Sequence, residues 1–270
     1  MEFKPSQKNF LHVKVSRDTQ INWKQFVTDT LLGVYEDEDK TVLVFQTEDI
    51  NKTLREILDF APQADIQETG LYPSPGPTSG YRIIYTPEIA VVSPGKDVVP
   101  GKGDLIIRAD LSFGSGFHPT TSLSIVLLNE VLKERQMPRV FDLGTGSGVL
   151  ALCAAKLGAQ KIIAADIDWR ACLEAKANVF ANGYSKKILV MCGSFDAVKP
   201  KCFDLLLANL TIGTILTIGK DFPELLAPSG EMILSGFTEG QIEEVMSLFP
   251  QATLRDKRTE EGWAAIRLAL

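Results

Sequence analysis

Three glycines at alternate positions, in Gly144-Thr145-Gly146-Ser147-Gly148, stand between the apolar run VFDL at 140–143 and the helical pattern VLALCAAKLG. Glycine at a strand-to-helix turn lets the backbone approach a ligand and tolerates positive φ. Asp166 closes the next apolar run 22 positions after Gly144, the spacing at which a carboxylate accepts hydrogen bonds from a ribose lying over the first turn. A dinucleotide turn carries G-x-G-x-x-G with a helix N-terminus facing pyrophosphate, whereas here the order is D-x-G-x-G-x-G, and Asp142 precedes the loop. A carboxylate there repels pyrophosphate and suits a cation such as an amino-acid ammonium or a sulfonium. By themselves the glycines would equally make a tight turn packing helix on strand, and Asp166 a helix N-cap. Together with Asp142 they describe an adenosine-type site.

Other candidates lie where strand ends converge. Phe195 and Asp196 follow a strand in CGSFDAV and suit an adenine face and its exocyclic amine, with a plain turn around a buried aromatic as the alternative; Ile167, beside Asp166, suits the opposite face. FGSGFHPTT at 113–121 has the make-up of a helix start, with Pro119 at an early position, Thr120 and Thr121 as cap hydroxyls and two glycines ahead. His118 within it reads as a base or as a hydrogen-bonded loop residue. Asn209 ends the apolar run LLLA, where a polar side chain faces a pocket mouth or caps the helix before TIGTIL.

The elements that must position these groups form two patterns. Residues 10–15 and 41–46 read as strands and 19–32 and 48–60 as helices, a β-α-β-α start. GLYPSPGPTSG at 70–80, with three prolines and three glycines, reads as a linker that continues neither element. Short strands are expected at 81–85, 88–92 and 104–108. From Arg139 strands at 139–143, 161–165, 187–192 and 203–208 alternate with helices at 147–157, 168–182 and 214–226, which implies a parallel sheet covered on both faces. Strands at 231–236, 252–256 and 263–269, with a helix at 238–248, suggest an antiparallel edge. The expected division is an α+β substrate-recognition domain over 1–69, a linker with connecting strands over 70–110, and a third part over 111–270.

Composition narrows the classes. The chain has 270 residues, 45% hydrophobic and 23% charged, which excludes disorder and coiled coil. No window approaches the length of a membrane helix, and MEFKPSQKNF lacks the apolar middle of a secretory signal, so a soluble cytoplasmic protein is expected. Four scattered cysteines without a CxxC pair, and two histidines, argue against a disulfide framework and against a metal site. Residues 1–100 carry 10 Lys and Arg against 15 Asp and Glu, and the remainder 18 against 19, so the acidity sits in the first part. That balance argues against nucleic-acid binding and suits a basic protein partner. The run Glu36-Asp37-Glu38-Asp39 reads as a solvated turn between helix and strand, or as a steering element.

DLGTGSG followed by ADID resembles the first two motifs of the class I S-adenosylmethionine-dependent methyltransferases, over roughly 111–270. FGSGFHPTT, FDLLLANLTI at 203–212, LSGFTEGQ at 234–241 and the late Trp263 are similar to the PrmA family, which methylates the eleventh protein of the large ribosomal subunit. FGSGF stands where FGTGT or FGTGH is usual, and residues 60–90 lack the family's tryptophan-bearing segment. The resemblance implies an α/β fold with a doubly wound, mostly parallel seven-stranded sheet, Rossmann-like, and a smaller ferredoxin-like α+β domain before it. It also implies S-adenosyl-L-methionine as cofactor, S-adenosyl-L-homocysteine as product and no metal. Cofactor contacts carry over to Thr121, Gly144, Asp166 and Asn209, joined by Asp142, Thr145, Gly146, Gly148, Ile167, Phe195 and Asp196, with Asn209 and His118 as catalytic candidates. The implied activity is N-methylation of lysine and N-terminal amines of that stalk-base ribosomal protein. Methylation of another protein's lysine or of a small amine, a non-catalytic cofactor-binding module, and a nicotinamide-dependent dehydrogenase disfavoured by the glycine spacing are the alternatives.

Overall fold

The computed structural model describes residues 8–16, 31–37, 40–47, 49–74, 81–94 and 98–270 apart from 109–117, with the single positions 21, 26 and 28. The chain divides into two compact units, Met1–Gly80 and Tyr81–Leu270. In the first, β1 (Lys8–Ser16), β2 (Leu31–Asp37), β3 (Lys40–Gln46) and β4 (Ile66–Ser74) form an antiparallel sheet ordered β2-β3-β1-β4, the ferredoxin-like order. Alternation on β1 buries Leu11, Val13 and Val15 against Leu43 and Phe45 of β3. Helix α1 (Ile50–Phe60) is capped by Asp49, whose side chain accepts the Lys52 N–H at 2.9 Å, and it buries Thr53, Ile57 and the following Ala61 at four-residue spacing on that core.

Three expectations change here. The helix expected at 19–32 falls mostly outside the described residues, and its last two positions belong to β2, which pairs with β3 through Leu31↔Phe45 and Tyr35↔Val42. At those two positions strand pairing outweighs the apolar spacing that suggested a helix. Glu36 and Asp37 therefore finish a strand, Asp37 opposite Lys40, so the acidic run joins two strands rather than a helix and a strand; positions 38 and 39 lie outside the described residues. The stretch expected to be linker from Gly70 continues β4 as far as Ser74, with Gly70↔His12 and Pro73↔Asn9. Because β4 is an edge strand, the N–H that proline lacks is not needed by a further neighbour.

The second unit opens with β5 (Tyr81–Thr86), β6 (Ile89–Ser93) and β7 (Leu105–Ile106), a small separate sheet. There follow α2 (Pro119–Glu134), β8 (Arg139–Leu143), α3 (Val149–Lys156), β9 (Lys161–Asp166), α4 (Trp169–Ala181), β10 (Ile188–Cys192) and β11 (Phe203–Asn209). Helices α5 (Ile212–Ile218) and α6 (Phe222–Leu225) lead to β12 (Leu226–Thr238), α7 (Ile242–Ser247), β13 (Thr253–Glu260) and β14 (Trp263–Ala269). The seven-stranded sheet is ordered β10-β9-β8-β11-β12-β14-β13, with β8 to β12 parallel and β13 and β14 forming the antiparallel edge. The single helix expected at 214–226 is two, separated by a 3-10 turn at Gly219–Asp221, because Pro223 interrupts the hydrogen-bond ladder. The last strand pair closes through Glu261 and Gly262, both at positive φ, as a two-residue hairpin turn requires.

Each face of the large sheet is buried. On β8, Val140 belongs to the core that includes α2 and α3, whereas Phe141 and Leu143 belong to the core that includes α5, α6 and α7. A partly buried ionic cluster, invisible to patterning, ties α2 to the antiparallel edge: the buried Arg267 of β14 donates to the buried Glu231 of β12 at 2.6 Å and meets the exposed Glu134, at the end of α2, at 2.6 Å. Burial opposes the Arg267 charge, but Glu134 and Glu231 hold its pKa above the ordinary value. Among the described residues no helix is long and apolar enough to cross a membrane.

Candidate functional site

The sheet order reverses between β8 and β11, neighbours through Leu205↔Val140 to Ala208↔Leu143. At such a point the loops from adjacent strands diverge and leave a crevice at the strand C-termini. β8 delivers the glycine loop there and β11 delivers Asn209, one residue beyond the register pair at Leu143.

The glycine loop is stiffened from below. Gly144, Gly146 and Gly148 all have positive φ (73°, 53° and 85°), the region where side chains bring strain. The Gly144 and Thr145 N–H groups both donate to Ala165 O, at 2.8 and 2.9 Å, fastening the loop to β9. Asp142 is buried under it and its Oδ2 accepts the Thr145 hydroxyl at 2.5 Å and the Ala151 N–H at 3.1 Å. Burial pushes this carboxyl up to about 7, although both hydrogen bonds favour its charged form; Asp166 adds repulsion.

Asp166 serves loop and helix together: its Oδ2 accepts the Gly146 N–H at 2.9 Å and its Oδ1 the Asp168 N–H at 3.0 Å, where α4 begins. The Gly193 N–H donates to the Asp166 backbone carbonyl at 2.9 Å, which holds the end of β10 beside that of β9. Phe195 follows two residues later, half-buried against the core, and Asp196 is exposed. Ile167 has 81% of its surface exposed, a large apolar side chain standing in water next to the one acid that closes β9.

On the other side of the crevice, the Asn209 amide nitrogen donates to the Thr121 hydroxyl at 3.4 Å, joining β11 to the first turn of α2. The threonines do not cap α2. His118 is the cap, its Nδ1 accepting the Thr120 N–H at 3.3 Å and lying 2.8 Å from the Thr120 hydroxyl, while its ring meets Trp263 edge-on at 4.6 Å. The correction has a steric reason: Pro119 occupies the first helical position, so the residue before it supplies the cap and the threonines fall inside the turn. Burial lowers the His118 pKa, partly offset by Glu261, and so favours the neutral ring that can accept the Thr120 N–H.

Sequence reasoning missed the wall behind Asn209. A Cβ on Gly144 would lie 2.2 Å from Leu210 Cδ2, and one on Gly236 would lie 2.0 Å from the Leu210 carbonyl oxygen, with Gly236 at φ 98°. The chain that carries Asn209 is thus gripped between two glycines. The signal was present as a glycine inside a strand pattern, in LSGFTEGQ, which marks a close backbone approach.

A profile of the family described as ribosomal protein L11 methyltransferase (PrmA) matches residues 80–269. Relatives named ribosomal protein L11 methyltransferase include one from Pelotomaculum thermopropionicum, 38% identical over 67% of this chain and 59% of its own length, and one from Brucella suis, 34% identical over 63% and 62%. The chain therefore spans about three fifths of the length of the curated relatives it matches. A solved ribosomal protein L11 methylase from Lactobacillus delbrueckii subsp. bulgaricus superposes with a TM-score of 0.62 at 26% identity, covering 70% of this chain and 97% of that one. With the matched region spanning the whole seven-stranded sheet and its crevice, the chain belongs to the ribosomal protein L11 methyltransferase (PrmA) family.

Proposed function

We propose that this chain is an S-adenosylmethionine-dependent protein N-methyltransferase acting in the cytoplasm on lysine and N-terminal amines of ribosomal protein L11. Family membership supports the reading, and the observation that carries it is the placement of Asn209 beside the glycine loop at the sheet's reversal point. The donor set fits the cofactor without a metal. Asp166 would take ribose hydroxyls, Gly144 to Gly148 would let the amino-acid portion lie close to backbone, and the Asp142 carboxyl beneath them would favour positive charge. Ile167 and Phe195 would cover the adenine faces and Asp196 would accept its amine. S-adenosylmethionine supplies, when bound, an electrophilic methyl group on a sulfonium.

The protein's own work is then positional. Thr121 engages the nitrogen of the Asn209 amide, so the carbonyl is the end that can accept a hydrogen from an incoming amine and aim its lone pair. A lysine must arrive neutral, and desolvation on entering the crevice assists by lowering its pKa. His118 acts in this scheme by holding the N-terminus of α2, and hence Thr121, in place. The acidic first unit, Met1–Gly80, is the part proposed to recognise the basic protein substrate; no nucleic acid takes part.

The test is to incubate the purified chain with radiolabelled S-adenosylmethionine and ribosomal proteins from a methylation-deficient strain. One labelled band at L11, lost in Asp166→Ala, is expected; labelling elsewhere, or none with cofactor bound, overturns the substrate assignment.

A further inference from the structure

Helix α4 and the residue that caps its C-terminus carry two asparagines one turn apart, Asn178 and Asn182, that treat an extended piece of chain as a neighbouring strand would. Asn182 Oδ1 accepts the Ile106 N–H at 2.8 Å and its Nδ2 donates to the Ile106 carbonyl at 2.6 Å. Asn178 repeats the pattern two residues along: Oδ1 accepts the Arg108 N–H and Nδ2 donates to the Arg108 carbonyl, both at 2.9 Å. The two differ in where the second amide hydrogen goes: that of Asn182 turns back to the Asn178 backbone carbonyl, at 2.8 Å, and does not reach the glycine loop. That of Asn178 goes to the Ser147 carbonyl inside the glycine loop, at 2.9 Å, with Asn178 and Ser147 both buried.

That bond sets more than one atom. The planar peptide that bears the Ser147 carbonyl also bears the Gly148 N–H, which closes the loop onto the Thr145 carbonyl at 2.9 Å, so fixing one end fixes the other. Close packing reinforces it, since a Cβ on Gly148 would already lie 3.3 Å from the Ala175 Cβ, one turn before Asn178. At its N-terminus the same helix meets Asp166 through the Asp168 N–H.

We propose that Asn178 is a positioning residue for the cofactor site, holding the glycine loop in register with Asp166 by orienting the Ser147–Gly148 peptide. This rests on the reading of that loop as the S-adenosylmethionine site. Asn182, which grips Ile106, two residues earlier, with the same pair of bonds but does not reach the loop, is the internal control. Losing Asn178 leaves the buried Ser147 carbonyl without its partner, together with both backbone groups of the exposed Arg108, and the loop relaxes to satisfy that carbonyl.

The experiment measures S-adenosylhomocysteine affinity by calorimetry, with thermal unfolding alongside, for the unsubstituted chain, Asn178→Ala, Asn178→Asp and Asn182→Ala. Asn178→Asp keeps the shape and the acceptor while losing both donors, so it serves if the alanine variant does not fold. Both Asn178 variants are expected to bind about tenfold more weakly, and Asn182→Ala within twofold of the unsubstituted chain despite a comparable drop in Tm. In turnover the Asn178 effect should fall on KM for S-adenosylmethionine, with kcat at saturation kept within about twofold. Equal affinities in all variants, with the unsubstituted chain binding, would overturn the positioning role alone. No binding by the unsubstituted chain would overturn the cofactor-site reading and the positioning role together.

Discussion

The two walls of the crevice are held by different means. On the β8–β9 side the loop, Asp142, Asp166 and the start of α4 are joined by a dense set of hydrogen bonds, most involving a carboxylate and backbone N–H groups. On the β11–β12 side the chain around Asn209 is positioned by strand pairing, with the Leu210 N–H donating to the Ser235 carbonyl at 3.0 Å, by steric contact between Leu210 and two glycines, and by one long side-chain hydrogen bond to Thr121, with no carboxylate taking part. Charge-assisted bonds fix direction, and contact fixes only distance. In the proposed function the first wall grips the cofactor and the second meets the acceptor amine.

The largest way to break this contrast is to fill the space behind Asn209. Gly236→Ala places a Cβ against the Leu210 carbonyl at a positive φ, and neither backbone segment can move aside without disturbing β11 or β12. A loss of about 4 kcal/mol in urea-unfolding stability is expected. A loss below about 1 kcal/mol would show that this wall yields easily.

Next comes the carboxyl under the other wall. Asp142 has its pKa raised to about 7 by burial, so between its unfolded value near 4 and 7 the folded state holds a proton that the unfolded state has released. The stability that protonation brings is complete below about pH 4 and is lost as pH rises through 7. Asp142→Asn keeps an acceptor for Thr145 and Ala151 and removes the titration. The difference in unfolding free energy, variant minus unsubstituted chain, should therefore climb between pH 4 and 7 by up to about 1.4 kcal/mol per unit and then level off. A flat difference would mean that the carboxyl is ionised throughout that range.

Much of the first wall could be read from the residues and little of the second. Asp142, the three glycines and Asp166 are sequential neighbours of two apolar strands, and a turn's chemistry is local, so their spacing carries the geometry. Asn209 was legible as a strand end, but its partner Thr121 lies 88 positions away, and the grip of Gly236 on Leu210 depends on how β11 and β12 pair. The N-terminal unit shows the same limit: the end of β4, from Gly70, reads as a linker because Pro73 is judged with the prolines and glycines that follow it, and only the edge position in the finished sheet makes Pro73 acceptable. For His118 the sequence offers a base or a hydrogen-bonded loop residue; its hydrogen bonds to Thr120 fit the second, and naming it the cap requires knowing where α2 starts.

A smaller effect separates binding from aiming. Asn209→Ala removes the acceptor proposed for the amine and its tie to Thr121, leaving every hydrogen bond of the glycine loop in place. A fall in kcat of about 30-fold is expected, with S-adenosylhomocysteine affinity changed by less than threefold. Should affinity fall in step with kcat, Asn209 would belong to the gripping wall instead.

The smallest expected effect tests where the first wall ends. Ile167 stands 81% exposed beside Asp166, an arrangement that leaves an apolar side chain in water unless a flat ligand covers it. Truncation to alanine removes three carbons' worth of that cover, and since a ligand face shields only part of the side chain, S-adenosylhomocysteine should bind about three- to fivefold more weakly while the protein's Tm stays the same. The unchanged Tm is the discriminating half of the result: a residue that contributes to packing loses stability when cut, and one that contributes only to a ligand's face does not. If Ile167→Ala lowers Tm and leaves affinity alone, the grip ends at Asp166 and the adenine face must be sought nearer Phe195, where the corresponding alanine variant would then carry the whole loss.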